Sequence, residues 1–161
     1  RSKEEGKSTG GLHNPSEAQF VRLVLESMES QLQGFSVGVI TPYQCQKQHL
    51  EGKLASLTGK IKLDINTIDA FQGQERDVII LSFVRANNTC SIGFLSQRQR
   101  LNVALTRARR CCYIIANLSS LKGNKDWQSL ISDAKQRGRI IPLDKNVPEY
   151  CTNNIQSMIQ I

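Results

Sequence analysis

The fold can be worked out from one segment near the middle of the chain, Val78-Ile79-Ile80-Leu81-Ser82-Phe83-Val84. Six of its seven residues are apolar, and no polar residue alternates regularly with them. A continuous apolar run of this length is typical of a strand that is buried on both faces, and such strands belong to parallel sheets covered by helices. The run therefore predicts a central strand of a parallel sheet.

On both sides of this run, strand-like and helix-like segments alternate along the chain. We predict strands over residues 35–41, 61–67, 78–84, 112–116 and 140–141, and helices after Asn14, after Thr41, over residues 101–110 and around Trp127. Parallel strands need crossovers of about a dozen residues, which these helices supply. The fold class is thus α/β, a parallel sheet between two helical layers. Ligand sites are expected in loops at the carboxyl ends of the strands, namely residues 41–44, 69–75 and 85–88.

Length and composition are those of one globular domain. The 161 residues include 39% hydrophobic and 22% charged residues, and no apolar run approaches the roughly 18 residues that a membrane helix needs. We expect a flexible lead-in over residues 1–13, a domain over 14–145 and a tail or helix over 146–161. Because the chain starts at Arg1, we expect it to be part of a longer protein.

Charge and cysteine content point to an intracellular protein with a polyanionic partner. Lys and Arg number 21 against 14 acidic residues, which gives a net charge of +7. The cysteines are odd in number and contain no C-x-x-C pair, so neither a zinc site nor a disulfide framework is expected. They are Cys45, Cys90, Cys111, Cys112 and Cys151.

The turn Asp69-Ala70-Phe71-Gln72-Gly73-Gln74-Glu75 has the groups that a polar ligand needs. It combines two carboxylates, two amides and a glycine directly after a predicted strand. Gly73 permits close approach of the backbone to a ligand, and the side chains can bind ribose hydroxyls, phosphates or water. An ordinary polar turn is the alternative interpretation.

Residues 101–110 are predicted to form a basic helix. Arg100 and Arg107 are seven residues apart, so they would share the face opposite an apolar stripe. Two guanidinium groups on one face can bind phosphate oxygens, although a solvated charged face would have the same pattern. Elsewhere, His13 and His49 are expected at the surface as isolated residues, and Trp127 is expected in the core.

No phosphate-binding P-loop is found in the chain. Gly6-Lys7-Ser8 matches the end of the pattern G-x-x-x-x-G-K-[ST], but Arg1 occupies the position of the first glycine and no strand precedes it. The chain alone is therefore not expected to bind a triphosphate in that manner.

Read in order, three segments resemble conserved helicase motifs. Residues 39–43 (VITPY) resemble motif IV, residues 67–75 (TIDAFQGQE) resemble motif V, and residues 99–108 (QRLNVALTRA) resemble motif VI. Their order and spacing are similar to those of the superfamily 1B helicases of the senataxin and nonsense-mediated-decay group. Three further segments, residues 84–87, 91–95 and 127–134, resemble the senataxin branch most. The similarity runs from about residue 12 to about residue 141.

The resemblance implies that the chain is the second RecA-like domain of a two-domain motor that binds ATP between its domains. Arg107 would be the arginine finger, the catalytic residue that reaches the γ-phosphate. Gly73 and Glu75 would bind ATP at the edge of the nucleotide, and Arg100 would support the phosphate side or a domain contact. Mg²⁺ would accompany ATP and be held by residues outside this chain. Simple topology separates Arg107 from a strand-end loop that contains Glu75, so only the resemblance brings these two residues together.

The resemblance also implies a nucleic-acid surface and partners. Thr41, Tyr43 and Thr67 would lie near the backbone of single-stranded RNA or DNA, or of an RNA/DNA hybrid. The other partner would be the first RecA-like domain of the same protein, and the location would be the nucleus rather than the cytoplasm. Two alternatives stay open: a basic nucleic-acid-binding module, and a scaffold domain that retains the fold but has no ATPase role.

Overall fold

The computed structural model describes residues 5–6, 11–86 and 93–141. The elements are β1 (Glu5–Gly6), β2 (Leu12–His13), α1 (Pro15–Ser27), β3 (Ser36–Thr41), α2 (Gln44–Leu54), β4 (Lys62–Thr67), β5 (Arg76–Ser82), a 3-10 turn (Gly93–Ser96), α3 (Arg98–Leu105), β6 (Ala108–Ile115), α4 (Leu118–Leu121) and α5 (Lys125–Gln136). Within the described residues strands and helices alternate from β2 to β4 and again after β5, much as the apolar patterns predict.

Four of the strands form a parallel sheet in the order β4-β3-β5-β6. The central position of β5 follows from its composition, because residues 78–81 are apolar on both faces and at most 1% exposed. β5 pairs with β3 on one side and with β6 on the other. The prediction of a doubly buried central strand is confirmed, and so is the α/β class with a RecA-like sandwich around a mainly parallel sheet.

A separate apolar cluster covers each face of the sheet. Successive side chains of a strand point to opposite faces, so Val78 and Ile80 lie in the cluster under α1 and α2, whereas Ile79 and Leu81 lie in the other. The second cluster includes Trp127 of α5, whose ring packs edge-on against Phe83 with centroids 4.9 Å apart. Trp127 is 1% exposed, which confirms its predicted place in the core.

The connection between β4 and β5 crosses one face of the sheet without forming a helix. Ile68 and Phe71 are buried in that crossing. Gly38 of β3 leaves room for it, because a Cβ atom there would lie 2.8 Å from Cζ of Phe71 and 2.7 Å from Cδ1 of Ile79. The connection starts at the carboxyl edge of the sheet, after Thr67, and ends at the amino edge, before Arg76. The expectation that all of residues 69–75 lies at the carboxyl edge is therefore wrong for the second half.

The basic helix is shorter than predicted. α3 ends at Leu105, and residues 108–110 belong to β6. The register pairs Ala108 with Arg76 and Cys111 with Val78, so pairing with the central strand decides the conformation of a segment whose local preference is compatible with a helix. Arg107 lies between the two elements, and Arg109 and Arg110 are strand residues.

Within residues 1–13, the expected lead-in, β1 and β2 pair antiparallel. Two further expectations differ from the structure. His13 and His49 were expected to be isolated, but their ring centroids lie 5.5 Å apart. Residues 140 and 141 do not form the predicted fifth strand. The segments 1–4, 7–10, 87–92 and 142–161, which include the predicted tail, lie outside the described residues.

Candidate functional site

The amino edge of the sheet brings Arg107 beside the end of the β4–β5 connection. The backbone carbonyl of Arg107 accepts a hydrogen bond from the backbone N–H of Arg76 at 3.1 Å. Its Nη1 donates to the carbonyl of Gln74 at 3.3 Å. The helix α3 runs back along the sheet as expected, but the connection also returns to this edge. Arg107 thus contacts the residues on either side of Glu75, so three of the four residues that the resemblance assigned to ATP, Gly73, Glu75 and Arg107, lie at this edge.

The guanidinium group of Arg107 is held by neutral acceptors. Besides the bond to Gln74, its Nε donates to the carbonyl of Val103 at 2.9 Å and its Nη2 to Oγ1 of Thr106 at 2.9 Å. Thr106 is itself tied to α3, because Oγ1 donates to the carbonyl of Asn102 at 2.8 Å. These contacts use one orientation of the planar group, and they fix it at the point where the helix ends.

Arg107 differs in this respect from the other arginines near the β4–β5 connection and the start of β6. Arg76, Arg100, Arg109 and Arg110 each approach a carboxylate within 4.0 Å. Arg107 has no carboxylate partner in the described part of the chain, and it is only partly exposed. A partly buried cation without a counter-charge attracts an anion more strongly than a paired surface cation does. The site is therefore suited to a phosphate oxygen.

The turn beside Arg107 is kept in shape by its glycine and by Arg76. Gly73 has a φ of 77°, a conformation that glycine adopts without strain, and nothing lies within 4 Å of where its Cβ would be. Arg76 donates to the carbonyl of Glu75 at 2.8 Å and to Oε1 of Gln74 at 3.0 Å, and its guanidinium lies 5.1 Å from the centre of the Phe71 ring. The glycine thus serves the turn conformation and leaves its outer side open.

Glu75 is one of the residues that line a cleft of about 520 Å³ at the same edge. Its Oε2 is 3.2 Å from Nε of Arg109, and both side chains are half exposed. Such a surface ion pair contributes about 0–1 kcal/mol, so a ligand can displace it at small cost. The cleft is lined by Ser36, Lys62, Leu63, Asp64, Glu75, Arg76 and Arg109. Arg109 was not recognised as a site residue from the sequence, because helical spacing had placed it on a different face of the basic helix from Arg107.

Arg100 does not form a clamp with Arg107. It lies in the first turn of α3 and binds Asp69 with two contacts of 3.2 Å, Nε to Oδ1 and Nη2 to Oδ2. The predicted shared face fails because α3 ends before Arg107. The two arginines instead hold opposite ends of the connection, Arg100 near its start and Arg107 near its end.

The carboxyl edge holds the three residues that were expected near nucleic acid. Thr41 and Thr67 are paired across β3 and β4. Thr41 is fully buried, and its hydroxyl has no hydrogen-bond partner within the described residues. Thr67 is half buried and accepts a hydrogen bond from the N–H of Ala70 at 3.4 Å. Tyr43, also half buried, is the residue before α2, and its hydroxyl lies near Gly93. The edge thus offers Tyr43 and Thr67 to a ligand, with Thr41 beneath them.

A second feature of the amino edge was not visible in the sequence. Oδ2 of Asp77 accepts hydrogen bonds from Oγ and N–H of Ser36 at 2.6 and 2.9 Å, and Arg110 lies 3.7 Å from its other oxygen. The Ser36 hydroxyl, its backbone N–H and the Arg110 charge hold the pKa of Asp77 below its usual range.

On β6, burial raises the pKa of Cys112 to about 12, so this thiol is not a nucleophile at neutral pH.

The described residues contain neither a membrane-spanning helix nor a metal-binding group of side chains. Within residues 11–86 and 93–141, no helix is both long enough and apolar enough to cross a membrane. Over the same residues, no group of three or more His, Cys, Asp and Glu side chains is placed to hold a metal ion.

Comparison with known proteins gives a consistent family. Residues 1–119 match the AAA domain family. The chain is 35% identical over 159 residues to the probable helicase MAGATAMA 3 of Arabidopsis thaliana, 38% over 128 residues to the helicase SEN1 of Saccharomyces cerevisiae, and 43% over 114 residues to the probable helicase senataxin of Homo sapiens. These matches cover 94%, 77% and 69% of the chain, but only 19%, 6% and 4% of the relatives. The chain therefore spans a small part of the proteins that it resembles.

Proposed function

The chain belongs to the AAA domain family and is a senataxin-like superfamily 1B helicase domain, and from this premise we propose that it is the second RecA-like half of an ATP-driven helicase motor. In this proposal ATP binds between this domain and the first RecA-like domain of the same protein. Single-stranded RNA or DNA, or an RNA/DNA hybrid, lies across the carboxyl edge. The Mg²⁺ that accompanies ATP is held by the first domain. The protein acts inside the cell, in the nucleus.

One observation carries the ATP part of the proposal. Arg107 is a partly buried arginine without a carboxylate partner in the described chain, and it lies beside the open turn of Gly73. Gly73 and Glu75 contact the nucleotide edge, and Arg107 contacts the γ-phosphate. Arg100 supports the phosphate side indirectly, because its bond to Asp69 steadies the start of the connection that ends in this turn.

Arg107 acts by meeting charge that develops during phosphoryl transfer. The reaction is accelerated by positioning and charge stabilisation, and an arginine supplied by a second domain contributes about 10³- to 10⁵-fold. A group that binds the transition state more strongly than the ground state raises kcat rather than affinity. Because three neutral acceptors orient Arg107 before ATP arrives, little reorganisation is needed at the moment of reaction.

ATP and nucleic acid bind at opposite edges of the sheet in this proposal, ATP at the amino edge and nucleic acid at the carboxyl edge, and the sheet connects the two sites. β3 runs from the amino edge at Ser36 to the carboxyl edge at Thr41, and the β4–β5 connection runs between the same edges. Closure of the two domains around ATP would move this rigid unit as one body, with Tyr43 and Thr67 in contact with the nucleic-acid backbone. Hydrolysis and reopening then become a step along the strand.

The experiment that tests this function uses the full-length protein. Arg107→Ala should lower kcat for nucleic-acid-stimulated ATP hydrolysis by about 10² or more, with the dissociation constant for ATP much less changed. Arg137→Ala is the matched control, because Arg137 is 71% exposed and paired with Asp133 on α5. Equal rates of ATP hydrolysis for the unaltered protein, Arg107→Ala and Arg137→Ala would show that Arg107 has no part in the reaction.

A domain that binds nucleic acid, or acts as a scaffold, without an ATPase role is the second candidate. The observation in its favour is that Glu75 already pairs with Arg109 in the structure. It predicts that the full-length protein binds nucleic acid but does not hydrolyse ATP, which the same assay measures.

A further inference from the structure

The chain turns sharply where it leaves the central strand, at a residue in a strained conformation. Val84 has a φ of 70°, although it is branched at Cβ, and it is fully buried. The N–H of Arg85 donates to the carbonyl of Phe83 at 2.7 Å, so residues 83–85 form a γ-turn centred on Val84. A γ-turn of this hand is rare and strained. Glycine would adopt it freely, so contacts around Val84 must supply the conformation.

Two buried residues at the start of α1 hold this turn. Oε2 of Glu17 accepts a hydrogen bond from the N–H of Val84 at 2.9 Å, and Nδ2 of Asn14 donates to the carbonyl of Val84 at 3.1 Å. The contacts span 67 and 70 residues in sequence. Both backbone polar groups of the strained residue are therefore bound by side chains from one distant segment.

Asn14 and Glu17, the clamp on Val84, are themselves held by side chains from α2 and β5. Oε1 of Gln46, on α2, accepts from the N–H of Asn14 at 2.8 Å, and its Nε2 donates to the hydroxyl of Ser82 at 3.0 Å. That hydroxyl donates to Glu17 at 2.8 Å. Asn14, Gln46 and Ser82 are fully buried, and Glu17 is 5% exposed. A buried, connected polar network of this kind specifies one geometry.

The turn lies at the edge where nucleic acid is proposed to bind. Leu81 pairs with Ile40, so Val84 follows just beyond the level of Thr41 and Thr67. A Cβ atom added at Gly93, the residue at which the described chain resumes, would lie 3.7 Å from the hydroxyl of Tyr43. Arg85 and Ala86, which directly follow Val84, leave β5 at the edge that carries Tyr43 and Thr67.

We propose that Asn14 and Glu17 are positioning residues of the nucleic-acid edge, which hold the strained turn at Val84 so that the chain leaves β5 in the geometry that nucleic acid requires. The inference rests on the proposed function for the identity of the ligand. It assigns to the start of α1, which does not contribute a residue to the expected site, a role in binding at that site.

The test measures binding of a fluorescently labelled single-stranded oligouridine to the full-length protein. Glu17→Ala should weaken binding roughly tenfold or more, because strain of this class disfavours the turn by about that factor when the clamp is lost. Adding Val84→Gly to that variant should restore most of the affinity, since glycine adopts a positive φ without strain. Asn14→Ser is an independent variant: serine caps α1 as well as asparagine does but lacks the Nδ2 donor to Val84.

Ser27→Ala is the matched control. It removes a part-buried side-chain hydrogen bond on the same helix, from Oγ of Ser27 to the carbonyl of Val24 at 2.8 Å, which is not part of the network around Val84, so the affinity for oligouridine should stay unchanged. Thermal unfolding of every variant separates loss of fold from loss of binding. The inference is overturned if folded Glu17→Ala or Asn14→Ser binds as tightly as the parent protein, if Ser27→Ala weakens binding equally, or if Val84→Gly does not restore affinity. If the unaltered protein binds neither oligouridine, nor single-stranded oligothymidine, nor a hybrid of RNA and DNA, the nucleic-acid part of the proposed function fails, and this inference with it.

Discussion

Arg107 and Arg76 are joined by a backbone hydrogen bond of 3.1 Å between the carbonyl of the first and the N–H of the second. Arg107 comes from the end of α3, and Arg76 starts the central strand after the β4–β5 connection. This single contact joins two parts of the chain at the amino edge. It explains how a residue at the end of a helix comes to lie beside Gly73 and Glu75.

The shape of the Arg107 group predicts that lysine is a poor replacement. Arg107→Lys in the full-length protein should recover little of the hydrolysis rate lost in Arg107→Ala, because Nε, Nη1 and Nη2 each bind a different acceptor and a lysine ammonium lacks the planar fork. Steady-state kcat for the two variants is the measurement. A lysine variant close to the unaltered protein would mean that charge alone is required.

Arg109 is not a neutral control for Arg107. Helical spacing had placed it on another face of the basic helix, but in β6 it pairs with Glu75 and lines the cleft. For this reason the control for Arg107 is Arg137.

The isolated chain should not hydrolyse ATP at a meaningful rate. Its 161 residues contain no match to the P-loop pattern, and the proposed arginine finger has no effect without the residues that hold the phosphates. Phosphate release by the purified chain, with excess single-stranded RNA, should equal that of the buffer. Robust ATP hydrolysis that co-purifies with the chain would contradict the proposal that the chain is only the second half of the motor.

Binding of nucleic acid by this domain should depend steeply on salt. The net charge is +7, and each phosphate contact releases a counterion, so the logarithm of the binding constant should fall linearly with the logarithm of the salt concentration. Titrations with labelled single-stranded RNA of two different sequences, each at several ionic strengths, measure the slope and the sequence preference. An affinity that does not change with salt would argue against contact with the phosphate backbone.

Gly38→Ala should destabilise the fold by about 1–3 kcal/mol, because the added methyl group overlaps Phe71 and Ile79 in a packed core. Gly52→Ala is the matched control. Gly52 lies on α2 with nothing within 4 Å of an added Cβ, so alanine there should stabilise the helix by up to about 1 kcal/mol. Denaturant unfolding of both variants gives the change in the free energy of unfolding for each. If Gly38→Ala stabilised the fold as Gly52→Ala is expected to do, the β4–β5 connection would not be closely packed on the sheet.

Local pattern was enough to predict most of the elements. The apolar run of residues 78–84 predicted the buried central strand, and Asn14-Pro15 predicted the start of α1, where Oδ1 of Asn14 accepts from the N–H of Glu17 at 3.1 Å. Burial of Trp127 followed from its place in a helical stripe. These features depend on residues close together in the chain, so the sequence alone contains the information.

The arrangement of the candidate site depended on contacts between distant segments. Ala108 to Arg110 are compatible with a helix, and only their pairing with β5 makes them a strand. Likewise, Val84 takes its strained conformation from side chains about 70 residues away.

The α/β alternation, the central strand and the residue types of the candidate site follow from the amino-acid sequence alone. Three features come only from long-range contacts: the turn of Gly73 ends at the amino edge beside Arg107, Arg100 binds Asp69, and α3 stops before Arg107. Periodicity reports which face of an element is buried, whereas the edge at which a connection ends depends on packing between distant segments, here of Phe71 across Gly38.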